Sequence, residues 1–410
     1  MRFIRDDKAA TPLVDTIFKI GAMAKKRAGD KDANVYNAVV GSLYDENGKI
    51  FSYKSVFDVY NSIPNELKTR YASAFSGNSR FKKAIEEWIF QKESINLPHF
   101  SFATTGGTGA LNVTISNLNN KGGTLIVPSI GWVSYEIMAE ELGLKVAKYN
   151  MFKDGKFDLD NVKETIKNVL IKEGKTSIII NDPCHNPTGY CMSDEEWVKV
   201  IDICNELTEY GEIVIINDVA YIDYSKDFDS SRHYMKAFNN INEKVAVVIT
   251  FSCSKTFTFY GMRVGAAEVI TKDPVDNQNI FNAFEKSARA TWSNVNNAAM
   301  ICCSMLLNEN NQDFKRELDN AAKLLYKRAE IFINEAKEVG LPTYPFVSGF
   351  FVTLDIQDQE ILPKFYDALL ANDIFTVKYK NGIRIALCSL PINKCVGLAR
   401  RMKEIYDSVL

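Results

Sequence analysis

The sequence predicts an α/β fold, with a large domain built on a mainly parallel sheet sandwiched by helices and a smaller α/β domain after it. Two observations carry this prediction. Between Phe100 and Ile270, short apolar runs such as TLIVPSI, TSIIIND, EIVIIND and VAVVITFS alternate with amphipathic stretches such as WVSYEIMAEELG and DEEWVKVIDICNEL. That alternation marks buried parallel strands joined by covering helices. Beyond it, DFKRELDNAAKLLYKRAEIFINEA over Asp313–Ala336 has the period of one long amphipathic helix. A second set of patterns follows, in which SGFFVTLDI and GIRIALCSL read as strands, LPKFYDALLAND as a helix between them and NKCVGLARRMKEIYDSVL as a terminal helix.

Composition narrows the function. The 410 residues, 46% hydrophobic and 24% charged, suffice for two or three domains, and no tandem period or low-complexity linker separates them. A formal net charge of −2 leaves no basic excess to neutralise a phosphate backbone, so a small-molecule substrate is expected rather than nucleic acid. The eight cysteines are scattered without paired ligand spacing, which predicts reduced thiols, no disulfide framework and no metal site. The first thirty residues lack a continuous apolar segment before their charges, and no later run reaches the roughly 18 apolar residues of a membrane span. A cytoplasmic protein without membrane contact is the expectation.

In an open parallel sheet, ligands gather beyond the carboxyl ends of the strands, and here those ends are polar. After NLPHFSFA comes TTGGTGALN, a glycine-rich turn opening a helix, where Gly107, Thr108 and Gly109 can offer bare N–H groups to a phosphate. It is neither a GxGxxG fingerprint nor a P-loop, and by itself it reads equally well as a tight turn. After TSIII comes NDPCHNPTGY, where the Asn186–Pro187 pair favours a fixed bend that aims the Asn186 side chain. After EIVII comes NDVAYIDY, with Asp218 at the strand end and Tyr221 three residues on, although a carboxylate there can also simply cap a helix. After VAVVITF comes SCSKTFTFYGMRVGAAEV, in which Lys255 is flanked by apolar residues while Ser252 and Arg263 supply a hydroxyl and a guanidinium fork. A lone lysine is usually solvated. Four polar strand ends in chain order point instead to a cleft in which a desolvated amine can form an imine.

Together these segments resemble the class I branch of the fold type I pyridoxal-phosphate aminotransferases, the branch that contains aspartate aminotransferase. VVGSLYDENG resembles the family's N-terminal glycine strand, TTGGTGALN its phosphate turn, HNPTG and NDVAY its pyridine-binding strands, SCSKTFTFYGMRVG its lysine segment and NGIRIALC its substrate-arginine strand. The resemblance implies an N-terminal arm and part of the small domain over residues 1–50, a large cofactor-binding domain over 51–307, and a connecting helix with the C-terminal small domain over 308–410. It implies Lys255 as the Schiff-base lysine and proton shuttle, Asp218 as the partner of the pyridine nitrogen, and Asn186 and Tyr221 on the phenolic oxygen. Trp132 and Ala220 would cover the two ring faces. Gly107, Thr108, Ser252 and Arg263 would hold the phosphate, with Tyr71 reaching in from the other subunit of a homodimer. Arg384 would clamp the substrate α-carboxylate, approached also by the backbone of Gly41.

SARATWSNVNN resembles the segment that supplies a distal arginine across that dimer, which places Arg289 against a side-chain carboxylate. Val295 and Asn296 stand where the family has prolines, Ile130 where relatives have a proline, and Tyr135 where many have a histidine. The implied reaction is ping-pong transamination between aspartate or glutamate and 2-oxoglutarate. The alternatives are an aromatic amino acid aminotransferase, a lyase or decarboxylase on the same fold, or a non-catalytic binding module.

Overall fold

Seven of the chain's buried runs become one sheet. The computed structural model describes residues 3–4, 16–30, 32, 34–308 and 311–410, so much of the expected N-terminal arm lies outside the described residues. The strands are β1 (His99–Thr104), β2 (Thr124–Pro128), β3 (Lys145–Tyr149), β4 (Lys175–Asn181), β5 (Glu212–Asp218), β6 (Val245–Ser252) and β7 (Gly265–Ile270), in spatial order β1-β7-β6-β5-β4-β2-β3. Pairing is parallel from β6 to β3, and β7 alone runs against its neighbours. Strands such as TLIVP in β2 are buried along their whole length because helices cover both faces.

Local sequence sets where those helices begin. Asp194–Leu207 starts at a capping box in which Ser193 accepts from the Glu196 N–H while the Glu196 carboxylate accepts from Ser193 N–H. Leu159–Glu173 is capped by Asp158 and ends at Gly174 in the left-handed conformation. One layer of the core joins Phe102 and Val127 of the sheet to Leu111 and Ile115 of helix Gly106–Leu118 and to Phe284 of helix Pro274–Thr291. Each such side chain contributes about 1.5–3 kcal/mol on burial.

By its contacts the chain forms two units: one of Ser52–Pro183 with Met192–Asn320, which holds the large sheet, and one that takes in Cys184–Cys191 and Ala321–Leu410 with the chain up to Phe51. The long amphipathic pattern forms helix Gln312–Val339. The second unit has a three-stranded antiparallel sheet of β8 (Phe351–Asp355), β9 (Val377–Tyr379) and β10 (Gly382–Ala386), with β10 in the centre. Val352, Leu354, Ile383 and Ile385 of this sheet share a core with Leu362 and Phe365 of helix Ile361–Ala371 and Met402 of helix Leu398–Asp407. Among the described residues no helix is long and apolar enough to cross a membrane.

Candidate active site

The reversed strand assembles the first part of the site. Register sets Gly265, the first residue of β7, beside both Thr104 and Ser252, the last residues of β1 and β6. Arg263 therefore arrives at the edge where the parallel strands end. The approach there is close enough to require glycine. A Cβ on Gly106, which has φ +79°, would lie 2.6 Å from Arg263 Nη2, and one on Gly265 would lie 2.8 Å from Gly107 N. A Cβ on Gly107 would come within 3.1 Å of Ser252 Cβ.

The result is a shallow cradle. It combines the N-terminus of the 13-residue helix Gly106–Leu118, the hydroxyl-bearing Ser252 and the Arg263 guanidinium. Thr108 sits exposed on the helix's first turn. Arg263 donates to Ser254 Oγ at 2.9 Å and to Tyr260 O at 3.0 Å, and it meets no carboxylate among the described residues. Free helix N–H groups, a hydroxyl and an uncompensated guanidinium are the donor set for a phosphate dianion.

At the end of β5 a second set gathers around Asp218. Its carboxylate is buried and accepts from Tyr135 Oη at 2.6 Å and from Ala220 N at 3.1 Å. Burial pushes its pKa up to about 6, opposed by these two hydrogen bonds and by the positive charge of Lys255. The Tyr135 hydroxyl is driven well above its ordinary range, by burial first and then by the nearby Asp218 charge, so it is a donor at neutral pH. A buried carboxylate with two donors still gains from a cation, which suits it to a protonated ring nitrogen. Half-buried Trp132 meets Tyr135 edge to face, with ring centroids 5.5 Å apart.

Lys255 stands three residues beyond β6 on the short helix Cys253–Thr256, with Nζ 5.3 Å from the centre of the Tyr221 ring and 5.1 Å from that of Tyr260. Its backbone is pinned, because Tyr224 Oη donates to Lys255 O at 2.9 Å and lies 3.1 Å from Tyr53 Oη. The next residue is held too: Thr256 donates to Asp223, which also accepts from Trp88 Nε1 and pairs with buried Arg232. Sequence reasoning missed Tyr53, Asp223, Tyr224 and Tyr260. Only the spacing of NDVAYIDY could have flagged Tyr224, and nothing local to the lysine segment points to Tyr53.

In the second unit Arg384 lies at the centre of β10, 1% exposed, with its guanidinium 4.4 Å from the centre of the Phe351 ring. Nη2 donates to Val39 O at 2.6 Å and Nη1 to Asn186 Oδ1 at 3.2 Å, while Nε has no partner. No carboxylate pairs with it among the described residues. Gly41 follows two residues after Val39. The Asn186–Pro187 bond is cis, as is Asp182–Pro183, and Thr353 fixes the bend by donating to Pro187 O at 2.6 Å. His185 in the same loop is fully buried, and burial lowers its pKa to about 3.

Two expected residues lie at the surface. Tyr71 is 88% exposed, and its loop is tied down next door, where Asn294 accepts from Ala72 N at 2.7 Å. Arg289 is exposed on the last turn of helix Pro274–Thr291, lies 5.1 Å over the Phe75 ring and donates to Ser293 Oγ at 2.6 Å. It also lacks a carboxylate among the described residues.

Comparison with known proteins fits this geometry. The chain is 25% identical over 322 residues to an aspartate aminotransferase of Salmonella typhi, spanning 77% of this chain and 79% of that protein. It is 23% identical over 397 residues to an aromatic-amino-acid aminotransferase of Paracoccus denitrificans, spanning 94% and 96%. The crystal structure of an aminotransferase from Anaerococcus prevotii superposes with a TM-score of 0.94 at 30% identity, covering 98% of this chain and 99% of that one. A dianion cradle, a buried carboxylate short of a cation and a lysine amine between aromatic rings are what pyridoxal phosphate requires, and the pattern of aminotransferase class I and II matches residues 68–402. The chain belongs to that family and is a pyridoxal-phosphate-dependent aminotransferase.

Proposed function

We propose that the protein exchanges an amino group between a dicarboxylic amino acid, aspartate or glutamate, and a 2-oxo acid, with 2-oxoglutarate as the acceptor from aspartate, by a ping-pong cycle, in homodimers that donate Tyr71 and Arg289 across their interface. The observation that carries this reading is a pair of guanidinium forks that meet no carboxylate among the described residues, buried Arg384 and exposed Arg289. Dicarboxylic substrates offer one carboxylate to each.

The residues divide the work by chemistry. Gly107, Thr108, Ser252 and Arg263 hold the phosphate, while Trp132 and Ala220 cover the ring and Asn186 and Tyr221 donate to its phenolic oxygen. When bound, the cofactor withdraws electron density from the substrate Cα. Asp218 keeps the ring nitrogen protonated, and Tyr135 keeps Asp218 ionised and aimed. Lys255 Nζ would anchor the cofactor and, once released by substrate, would take the proton from the substrate Cα. Arg384, with the Gly41 backbone, orients the α-carboxylate so that the Cα–H bond faces that amine.

The test compares donors. Losing a charge-assisted pair from a desolvated site costs about 2–5 kcal/mol, so Arg289→Ala should lower kcat/KM for aspartate roughly 30-fold or more. Phenylalanine should lose much less. Equal losses for both donors would hand the assignment to an aromatic or broad-specificity enzyme, a reading that the Paracoccus relative supports. Glutamate formed from 2-oxoglutarate at the rate of aspartate loss, with no release of ammonia or carbon dioxide, separates transamination from elimination or decarboxylation.

A further inference from the structure

Outside the catalytic cradle, the large sheet buries a carboxylate that its protein surroundings leave half satisfied. Glu268 on β7 is fully buried. Oε2 accepts from Ser101 Oγ on β1, and Oε1 has no hydrogen-bond partner among the described residues. One oxygen of Glu268, one of Glu86 on helix Ser79–Phe90 and a ring nitrogen of His99 at the start of β1 lie within 4.8 Å of one another.

The histidine is oriented as a ligand. Its Nδ1 lies 2.7 Å from Leu97 O, a contact in which Nδ1 donates, so Nε2 is the ring atom that faces the carboxylates. Its ring is also held edge-on against Phe90, 5.9 Å between centroids. A backbone carbonyl that fixes the tautomer in this way is the usual outer support of a metal-bound imidazole. Nε2 stands 3.4 Å from Glu86 Oε1. That is long for a charge-assisted hydrogen bond, and it is the separation of two ligands about 2.1 Å from a shared ion at the tetrahedral angle, about 3.4 Å.

We propose that Glu86, His99 and Glu268 bind a divalent first-row transition metal of the zinc type. One imidazole and two carboxylates suit that class better than magnesium or calcium, which favour all-oxygen shells. A dication can neutralise both Glu86 and the buried Glu268. The ion would staple helix Ser79–Phe90 to β1 and β7. His99 opens β1 and Thr104 closes it beside the cradle, so the site is about 17 Å along the strand from the catalytic edge. Cysteine spacing gave no hint of it, because the three ligands are scattered over the chain.

The test uses the holoenzyme, stripped with a chelator, reloaded with zinc chloride, freed of excess metal and analysed for its elements. One zinc per chain should remain, and the thermal midpoint should rise on loading. In competition with a chromogenic chelator, His99→Gln and Glu268→Gln should weaken retention about 100-fold or more and Glu86→Gln about tenfold or more, and all three should abolish the thermal shift. Cobalt(II) in the same site should show d–d bands without a thiolate charge-transfer band. Failure to retain zinc, retention undiminished in the variants, or a thiolate band would each overturn the proposal. Should Glu268→Gln not fold, Glu86→Gln and His99→Gln decide, since both side chains are partly exposed.

Discussion

Arg232 and Arg384 are equally shielded from water, at 0% and 1% exposure, and they differ in what faces the guanidinium. Arg232 pairs with the buried carboxylate of Asp223 and donates to Phe228 O and Ser231 Oγ. Arg384 has a carbonyl, an amide oxygen, an aromatic face and the nearby Tyr379 hydroxyl, and no carboxylate among the described residues. The first charge is neutralised within the protein, although Arg232 Nε, like Arg384 Nε, has no hydrogen-bond partner among the described residues. A buried cation left without an anion is costly to fold, which fits the proposed role of Arg384, in which the substrate supplies the missing charge. Arg328 supports the distinction, since in the same unit as Arg384 it is fully buried and bound to Glu46 Oε1 at 2.6 Å and to the carbonyls of Tyr44 and Cys388.

The comparison can be broken in three ways. Asp223→Asn strands the Arg232 charge, so it should lower unfolding stability by about 3–5 kcal/mol. Denaturant titration reads this directly, and a loss below about 1 kcal/mol would mean that the pair is no more than a surface bridge. Arg384→Leu should do the reverse. Stability should hold or rise, while kcat/KM for every amino donor falls by about 2–5 kcal/mol of transition-state binding, chiefly through KM. Loss of stability without loss of activity would make Arg384 structural.

The smallest effect concerns Asp218, a buried anion that awaits a cation. Its folded pKa of about 6 exceeds the unfolded value, so the folded chain binds the extra proton between pH about 4 and 6 and stability falls as pH rises through that window. The cofactor-free enzyme should lose up to about 3 kcal/mol there from this group, and Asp218→Asn should flatten the profile. Cofactor binding should flatten it as well. An unchanged slope in the cofactor-free variant would show that Asp218 is not the group responsible.

What the sequence made legible follows a rule of distance. Gly107, Asp218, Ser252 and Lys255 each stand at or just past the end of an apolar run, so a local pattern was enough to place them on one edge of a sheet. The same runs carry no direction, and that β7 is reversed became visible only with its register. Long-range supports were invisible for the same reason. Tyr53 braces Tyr224 from 171 residues away, and Glu317 receives the N–H groups of Lys54 and Ser55 across more than 260. The IRIAL stretch around Arg384 is otherwise apolar, so an arginine buried there calls for an anion, which no carboxylate among the described residues supplies. Arg289 and Tyr71 remain surface residues in a single chain, and their proposed role depends on a partner that no intrachain pattern encodes.

The reversed strand also bears on how the enzyme comes together. Ser252 and Gly265 pair across only 13 residues of chain, and Lys255 and Arg263 both lie in that short connection, which Cys253 N closes onto Val264 O. Thr104 must meet the same Gly265 across 161 residues. The entropy of closing the longer loop is greater by about 2 kcal/mol, so the hairpin can form before the crossovers that set the other strands side by side. Lys255 and Arg263 are then a preassembled clasp, spaced by their own turn, onto which the rest of the sheet docks.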